Sequence, residues 1–141
     1  MLTVRIADYA ADHAEICRIR LAVFVDEQKV PKNLELDDRD PHCIHLLAHD
    51  DGEPVGTGRI DLAMSGKVGR VAVVASRRGQ GVGTALMGYV HDIARDNALD
   101  TVWCYAQVAA VPFYENLGYR ITNAEPFDEA DIPHVRMEYT L

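Results

Sequence analysis

Apolar residues recur along this chain in two periods, and the switches between them outline its elements. Val82, Ala85, Leu86, Tyr89, Val90, Ile93 and Ala94 fall at i, i+3, i+4, i+7 spacing, which predicts a long one-faced helix running to about Asn97. Just before it, the short apolar run Val71–Ala75 reads as the end of a strand, and a basic, glycine-studded turn, Ser76–Gly83, joins the two. Nearer the start, Val4–Ile6 predicts a strand. Asp12 with Glu15 three residues on has the form of a capping box, opening a helix with the stripe Ile16, Ile19 and Val23. The stretch Val23–Pro41 is too rich in proline and charge to be core throughout. It reads as a helix–loop connection, long for a plain linker and of the kind that carries function. Cys43–His49 and Pro54–Leu62 predict strands joined by the hairpin signal Asp50-Asp51-Gly52, and Ser65-Gly66 turns the chain into a third antiparallel strand, Lys67–Val74. Thr101–Ala106 predicts a further strand, Val108–Leu117 a helix stopped by Gly118, and His134–Leu141 a closing strand.

This order describes one α+β domain over residues 1–141, with a mixed, mostly antiparallel sheet flanked by helices and a central β-α-β crossover. Composition narrows the function. A chain of 141 residues, 48% hydrophobic, is long enough for a real core. No apolar run approaches the ~20 residues that span a bilayer, and MLTVRIADYA does not read as a secretory leader, so no membrane partner and a cytoplasmic location are expected. Cys17, Cys43 and Cys104 are scattered and lack C-x-x-C spacing, which suits a reducing compartment and suggests neither disulfides nor zinc. A net charge of −8 argues against nucleic acid and leaves room for a cationic, amine-bearing substrate. His42, His45 and His49 share a strand, but His42 and His45 face opposite sides, and His45 and His49 stand ~13 Å apart at ~3.3 Å per residue. No metal is expected.

The glycine turn carries the first chemistry. Gly79, Gly81 and Gly83 alternate after Arg77 and Arg78, delivering a helix N-terminus beside a strand end. Glycine lets a ligand approach the backbone, the first helical N–H groups lack partners, and the helix dipole favours an anion there, most naturally phosphate. The spacing is neither G-x-G-x-x-G, since Thr84 and Leu86 stand where a third glycine would be needed, nor a Walker loop, since G-K-[ST] is absent.

The pattern Arg78-x-x-Gly81-x-Gly83 instead resembles the [QR]-x-x-G-x-[GA] loop of the GNAT superfamily of acyl-CoA-dependent N-acyltransferases. Ala106-Gln107-x-x-Ala110-x-x-Phe113-Tyr114-x-x-x-Gly118-Tyr119 resembles that family's later strand-to-helix segment. Arg20–Pro31 (R-x-x-V-F-V-x-E-Q-x-V-P) and Ile132–Met137 (I-P-H-V-x-M) look like its ElaA/YjcF-like subgroup, in which both segments face the acyl-acceptor side. The element order agrees, so the resemblance covers nearly the whole chain.

The resemblance implies the GNAT fold and acetyl transfer from acetyl-CoA to the amine of a small molecule, by direct attack in a ternary complex. It also implies a homodimer, by analogy alone. Backbone amides of Gly79, Gln80, Gly81, Val82, Gly83 and Thr84, after Arg78, would cradle the coenzyme pyrophosphate. Val71, Ala72 and Val73 would pair with the pantetheine arm, reached also by Gln107, with Phe113 beside it. A backbone N–H near Val73 would meet the developing oxyanion, and Tyr114 would protonate the thiolate. Glu27, Glu35, Asp37 and His134 are candidate bases, His134 having the more suitable intrinsic pKa. Glu27 could instead bind the substrate ammonium. Gln28 would orient the acceptor or hydrogen-bond the loop, and Arg59 and Arg70 would meet an acidic group of the substrate or pair with nearby carboxylates. The acidic cluster Glu35–Asp40 would suit a polyamine or amino sugar, and equally a solvated loop. An acyl-CoA sensor on the same fold would keep Arg78–Thr84 without needing Tyr114 or a base.

Overall fold

A computed structural model describes residues 1–141, the side chains of Leu34 and Ala124 excepted. Seven strands form one sheet in the order β1-β2-β3-β4-β5-β7-β6: β1 Leu2–Ala7, β2 Ile44–Asp50, β3 Glu53–Asp61, β4 Lys67–Val73, β5 Thr101–Gln107, β6 Arg120–Glu129 and β7 Ile132–Thr140. Every neighbouring pair is antiparallel except β4 and β5. These two are joined through α3, Val82–Asp96. The other helices are α1 (His13–Arg20), α2 (Lys32–Glu35) and α4 (Val111–Asn116).

The two hairpin turns legible in the sequence have the backbone they need. Asp51 and Gly52 both have positive φ, as do Ser65 and Gly66. Gly118, at φ +102°, ends α4 with Tyr119 N–H donating to the Tyr114 carbonyl and Gly118 N–H to that of Glu115, the pairing of a Schellman stop.

The capping box at Asp12 does not form. Its carboxylate instead accepts both guanidinium nitrogens of Arg5 at 2.9 Å and the Asp8 N–H at 2.9 Å. A charged fork outcompetes a neutral amide for one carboxylate, and it holds Asp12 down at about 2. The helix after Val108 begins as one 3-10 turn, Val108–Ala110, and becomes α-helical only from Val111.

Core lies on both faces of the sheet. On one, Val82, Leu86, Met87, Val90 and Ile93 of α3 pack on Leu46, Val55, Val68, Val102, Cys104 and Met137. On the other, Ile16, Ile19 and Val23 cover Leu47 and Ala72. Val68 and Ala72, four apart on β4, would share a face in a regular strand. They do not, because Thr57 pairs with Ala72 and Arg59 with Gly69, leaving Gly58 opposite both Arg70 and Val71. This bulge puts Arg70 at φ +53° and reverses the phase of the strand just where the site begins.

Of the three histidines expected on one strand, His42 lies before β2, in the 3-10 turn Asp40–His42, and the alternation from His45 breaks at a bulge between Ala48 and His49. His45 is buried, stacks on Tyr9 at 4.4 Å and donates from Nε2 to the Asp40 carbonyl at 2.8 Å. No metal-ligand cluster occurs among the described residues, and none of their helices is long and apolar enough to cross a membrane.

His91 on α3 is buried with Nε2 2.8 Å from the Tyr119 hydroxyl, and burial lowers its pKa from 6.5 to about 4. Between those values the unfolded chain takes up a proton that the folded one refuses. Unfolding free energy is therefore expected to fall as pH drops from about 6.5 to 4, by up to roughly 3 kcal/mol from this residue. Urea unfolding of wild type and His91→Phe across that window checks this, since identical slopes would mean that His91 contributes nothing.

Candidate functional site

The parallel pair β4–β5 is joined at only two register positions, Lys67↔Trp103 and Val68↔Cys104. Beyond them the strands part, and the gap opens into a cleft of about 710 Å³ running from the glycine loop to the β6–β7 turn. Val74 N–H donates to Val55 on β3 at 2.9 Å, so strand alternation turns the N–H and C=O of Val73 the other way, into the gap. The bulge at Arg70–Val71 and the parting of β5 together leave a free strand edge inside the molecule.

One end of the cleft is the start of α3. Gly79 and Gly81 have φ of +75° and +85°, which only glycine adopts without strain. The first helical bond there runs from Ala85 N–H to the Gly81 carbonyl at 3.0 Å, so the amides of Val82, Gly83 and Thr84 have no partner within the helix. A Cβ at Gly83 would lie 3.1 Å from Phe113 Cζ, so the small residue lets α3 and α4 close up beside the loop.

Arg78 reaches back over this end. Its Nε donates to the Val73 carbonyl at 3.0 Å, and its two terminal nitrogens fork onto Glu27 at 2.9 Å. Glu27 is thereby tied to the glycine loop, but it is not among the residues that line the cleft, where a base or an ammonium partner was expected. Gln28, the next residue, accepts from Gln107 Nε2 at 2.7 Å across the gap. Gln28 reaches the cleft because α1 continues into a π-helical stretch, Leu21–Glu27, with Gln28 N–H bonded to the Val23 carbonyl. Such widened turns often occur at functional sites.

Val71, Ala72, Val73, Arg78, Gly79, Gly81, Val82, Gly83, Thr84, Gln107, Phe113 and Tyr114 all line the cleft, with Gln28, Arg59 and His134 further along it. Gln80 instead turns its amide to the Ser76 carbonyl, at 3.4 Å. Tyr114 is half-buried, its ring edge-on to Phe113 and Tyr119 at 5.1 and 5.4 Å, and burial pushes its phenol well above its ordinary range. His134, 8% exposed, donates from Nδ1 to the Ile132 carbonyl at 2.6 Å. A neutral ring so held has its lone pair at Nε2, which lies 3.9 Å from Glu129.

The acidic stretch Glu35–Asp40 is not a solvated loop. Arg20, fully buried, donates to Glu35 at 2.6 Å and to Asp40 at 2.7 Å. Arg59 forks onto Asp37 at 2.7 and 2.8 Å and also donates to Asp40. Arg70 lies 3.3 Å from Glu35 and 3.2 Å from Asp37. Asp37 is held down at about 2 by these arginines against the opposing effect of burial, whereas burial outweighs them at Glu35 and raises its carboxyl. Arg59 thus enters the cleft wall already paired with carboxylates.

Sequence reasoning missed Asp61, Lys67, Tyr105 and Glu129, all cleft-lining, whereas Phe24 and Ile132 belong to the two segments expected on the acceptor side. Tyr105 was within reach, since alternation on β5 puts it on the same face as Gln107.

Comparison with known proteins finds relatives in both sequence and fold. Residues 6–141 match the family described as "Acetyltransferase (GNAT) domain". The Bacillus subtilis protein named "Uncharacterized N-acetyltransferase YjcF" is 38% identical over 120 residues, covering 84% of this chain and 86% of the relative. Among solved structures, Escherichia coli ElaA superposes with a TM-score of 0.85 at 26% identity, covering 98% of this chain and 99% of that one. An acyl-CoA N-acyltransferase of Pseudomonas aeruginosa superposes with a TM-score of 0.80 at 28% identity, with the same coverage of 98% and 99%.

Proposed function

Since the chain belongs to the GNAT acetyltransferase family, we propose that it moves an acetyl group from acetyl-CoA to the amine of a small molecule, by direct attack with both substrates bound together. One observation carries this reading: a free strand edge, opened by the parting of β4 from β5, ends on the bare N-terminus of α3. A thioester with a long amide-bearing arm and a diphosphate needs both, in that order.

The residues fit such a group. Amides of Val82, Gly83 and Thr84, with Gly79 and Gly81 beside them, suit the diphosphate. The edge of Val71–Val73 suits the arm's amides, with Gln107 and Phe113 on its other side. Acetyl-CoA supplies the activated acyl group; the protein positions it and manages charge and protons. The Val73 N–H, already turned into the gap, is the donor for negative charge developing on the acyl oxygen, a contribution of ~3 kcal/mol in other enzymes. His134 accepts a proton from the incoming ammonium at Nε2. Glu27 becomes available to that ammonium when Arg78 releases it. Tyr114 donates to sulfur as the thiolate leaves. Burial makes a lasting phenolate costly, so the phenol regains its proton within the same turnover.

Release of free thiol from acetyl-CoA against a panel of amines tests the reading. Tyr114→Phe is expected to slow turnover by about 10²-fold while acetyl-CoA affinity stays within about twofold. Equal loss of both would make Tyr114 a packing residue. Tight acetyl-CoA binding with silence across the panel would favour a non-catalytic acyl-CoA sensor.

A further inference from the structure

The charges at the acceptor end of the cleft, resting on the reading above, identify the class of amine it takes. Of the cluster that invited a polyamine, the three carboxylates turned inward are spent on arginines, Glu35 on Arg20 and Arg70, Asp37 on Arg59 and Arg70, and Asp40 on Arg20 and Arg59, and Asp61 in the cleft wall is likewise held by Arg39 at 2.8 and 2.9 Å. A second ammonium on the substrate would find these sites taken by guanidiniums that burial and forked geometry hold in place.

Two charged groups lining this end stand outside that network. Glu129, half-exposed at the rim, lies 3.9 Å from His134 Nε2. Lys67, at the other limit, has no carboxylate within ion-pair distance among the described residues. Its ammonium sits over the rings of Tyr105 at 4.8 Å and Trp103 at 5.4 Å. An aromatic floor connects the two. The Tyr105 ring is 5.0 Å from that of Phe127, which is 6.0 Å from His134. Tyr105 is 38% exposed, so its ring is available to a ligand.

We propose that the acceptor is a zwitterionic amine with an apolar or aromatic body. Its ammonium is received at Glu129 and His134, its body lies on Tyr105, which Phe127 supports edge-on, and its anionic group, a carboxylate, meets Lys67. The cation–π contacts hold the Lys67 ammonium at the floor of the groove without neutralising it, leaving it able to take an anion.

Three amines with one aromatic body separate the possibilities: 4-(aminomethyl)benzoate, its carboxamide, and 1,4-bis(aminomethyl)benzene. Their kcat/KM values, and their binding to protein saturated with CoA, are measured for wild type, Lys67→Gln and Lys67→Glu, with acetyl-CoA affinity determined for each protein. Wild type is expected to prefer the carboxylate over the carboxamide by about fivefold or more, and the diamine to be poorest. Lys67→Gln is expected to lose that preference and Lys67→Glu to favour the diamine, all three proteins binding acetyl-CoA alike. Equal use of the three amines, no binding of any of them to the CoA-saturated protein, or a ranking unmoved by Lys67→Glu overturns the proposal. Failure of wild type to bind acetyl-CoA overturns instead the function on which it rests.

Discussion

Gly83→Glu is expected to reduce acetyl-CoA affinity by at least about 100-fold, the cost of setting like charges together in a binding site. Gly83 contributes one of the free amides at the start of α3, and its missing side chain is what lets Phe113 approach: a Cβ would meet that ring at 3.1 and 3.2 Å. The substitution therefore acts twice, displacing the aromatic wall and putting a carboxylate where the diphosphate is proposed to sit. Gly88→Glu is the matched control. It lies five residues further along the same helix, adds the same charge, and a Cβ there meets nothing within 4 Å. Calorimetric titration with acetyl-CoA should show binding by the control and none measurable by Gly83→Glu, both folded by circular dichroism. Undiminished affinity in folded Gly83→Glu would remove the diphosphate from this loop.

Arg20→Met is expected to destabilise the protein by about 3–5 kcal/mol, the usual consequence of deleting one member of a buried ionic network. Arg20 is fully buried and makes bonds of 2.6 Å to the Glu35 carboxylate, 2.6 Å to the Glu35 carbonyl and 2.7 Å to Asp40. Methionine fills part of the volume but leaves both carboxylates short of a partner in a site water does not reach. The network also gives the protein an acid limb. Asp37, held at about 2, and Asp40, also lowered, contribute stability that is present above the ordinary carboxylate range near 4 and is lost as pH falls toward 2. Denaturant unfolding at neutral pH reads the stability change directly. A loss below about 1 kcal/mol would show that the arginine only offsets its own desolvation cost.

The elements with a clean period were legible in the sequence. The stripe from Val82 to Ala94 gave α3 within a residue, and Asp51-Gly52 and Ser65-Gly66 marked turns that need positive φ. Strand β6 was implied by the element order but could not be placed, because Arg120–Glu129 lacks alternation, carries Pro126, and pairs with β7 across two bulges. Its hairpin turns at Ala130 and Asp131, both at positive φ without a glycine to announce it. The π-helical stretch was hidden for another reason. Its wider turn is not a sequence period, yet it carries Gln28 to the cleft and Glu27 to Arg78.

The site divides the same way. The glycine loop depends on residue type at fixed spacing, so it could be located in advance. The acceptor end depends on contacts between Arg20, Glu35, Asp37, Asp40, Arg59 and Arg70, up to 35 positions apart, which no local pattern reveals. Sequence alone offered the acidic run as bait for a cation, whereas folding spends it on arginine.

Alternation on β5 separates two tasks along seven residues. Val102, Cys104 and Ala106 are sealed into the core, while Trp103, Tyr105 and Gln107 lie on the other face, partly open to solvent, and Tyr105 and Gln107 line the cleft. Substitutions at the second set leave the packing of the first in place, so each is expected to cost little stability. Substrate preference in this chain is therefore separable from foldability. Single-residue changes at position 105 offer evolution, or an engineer, a route to a new acceptor with the coenzyme half untouched.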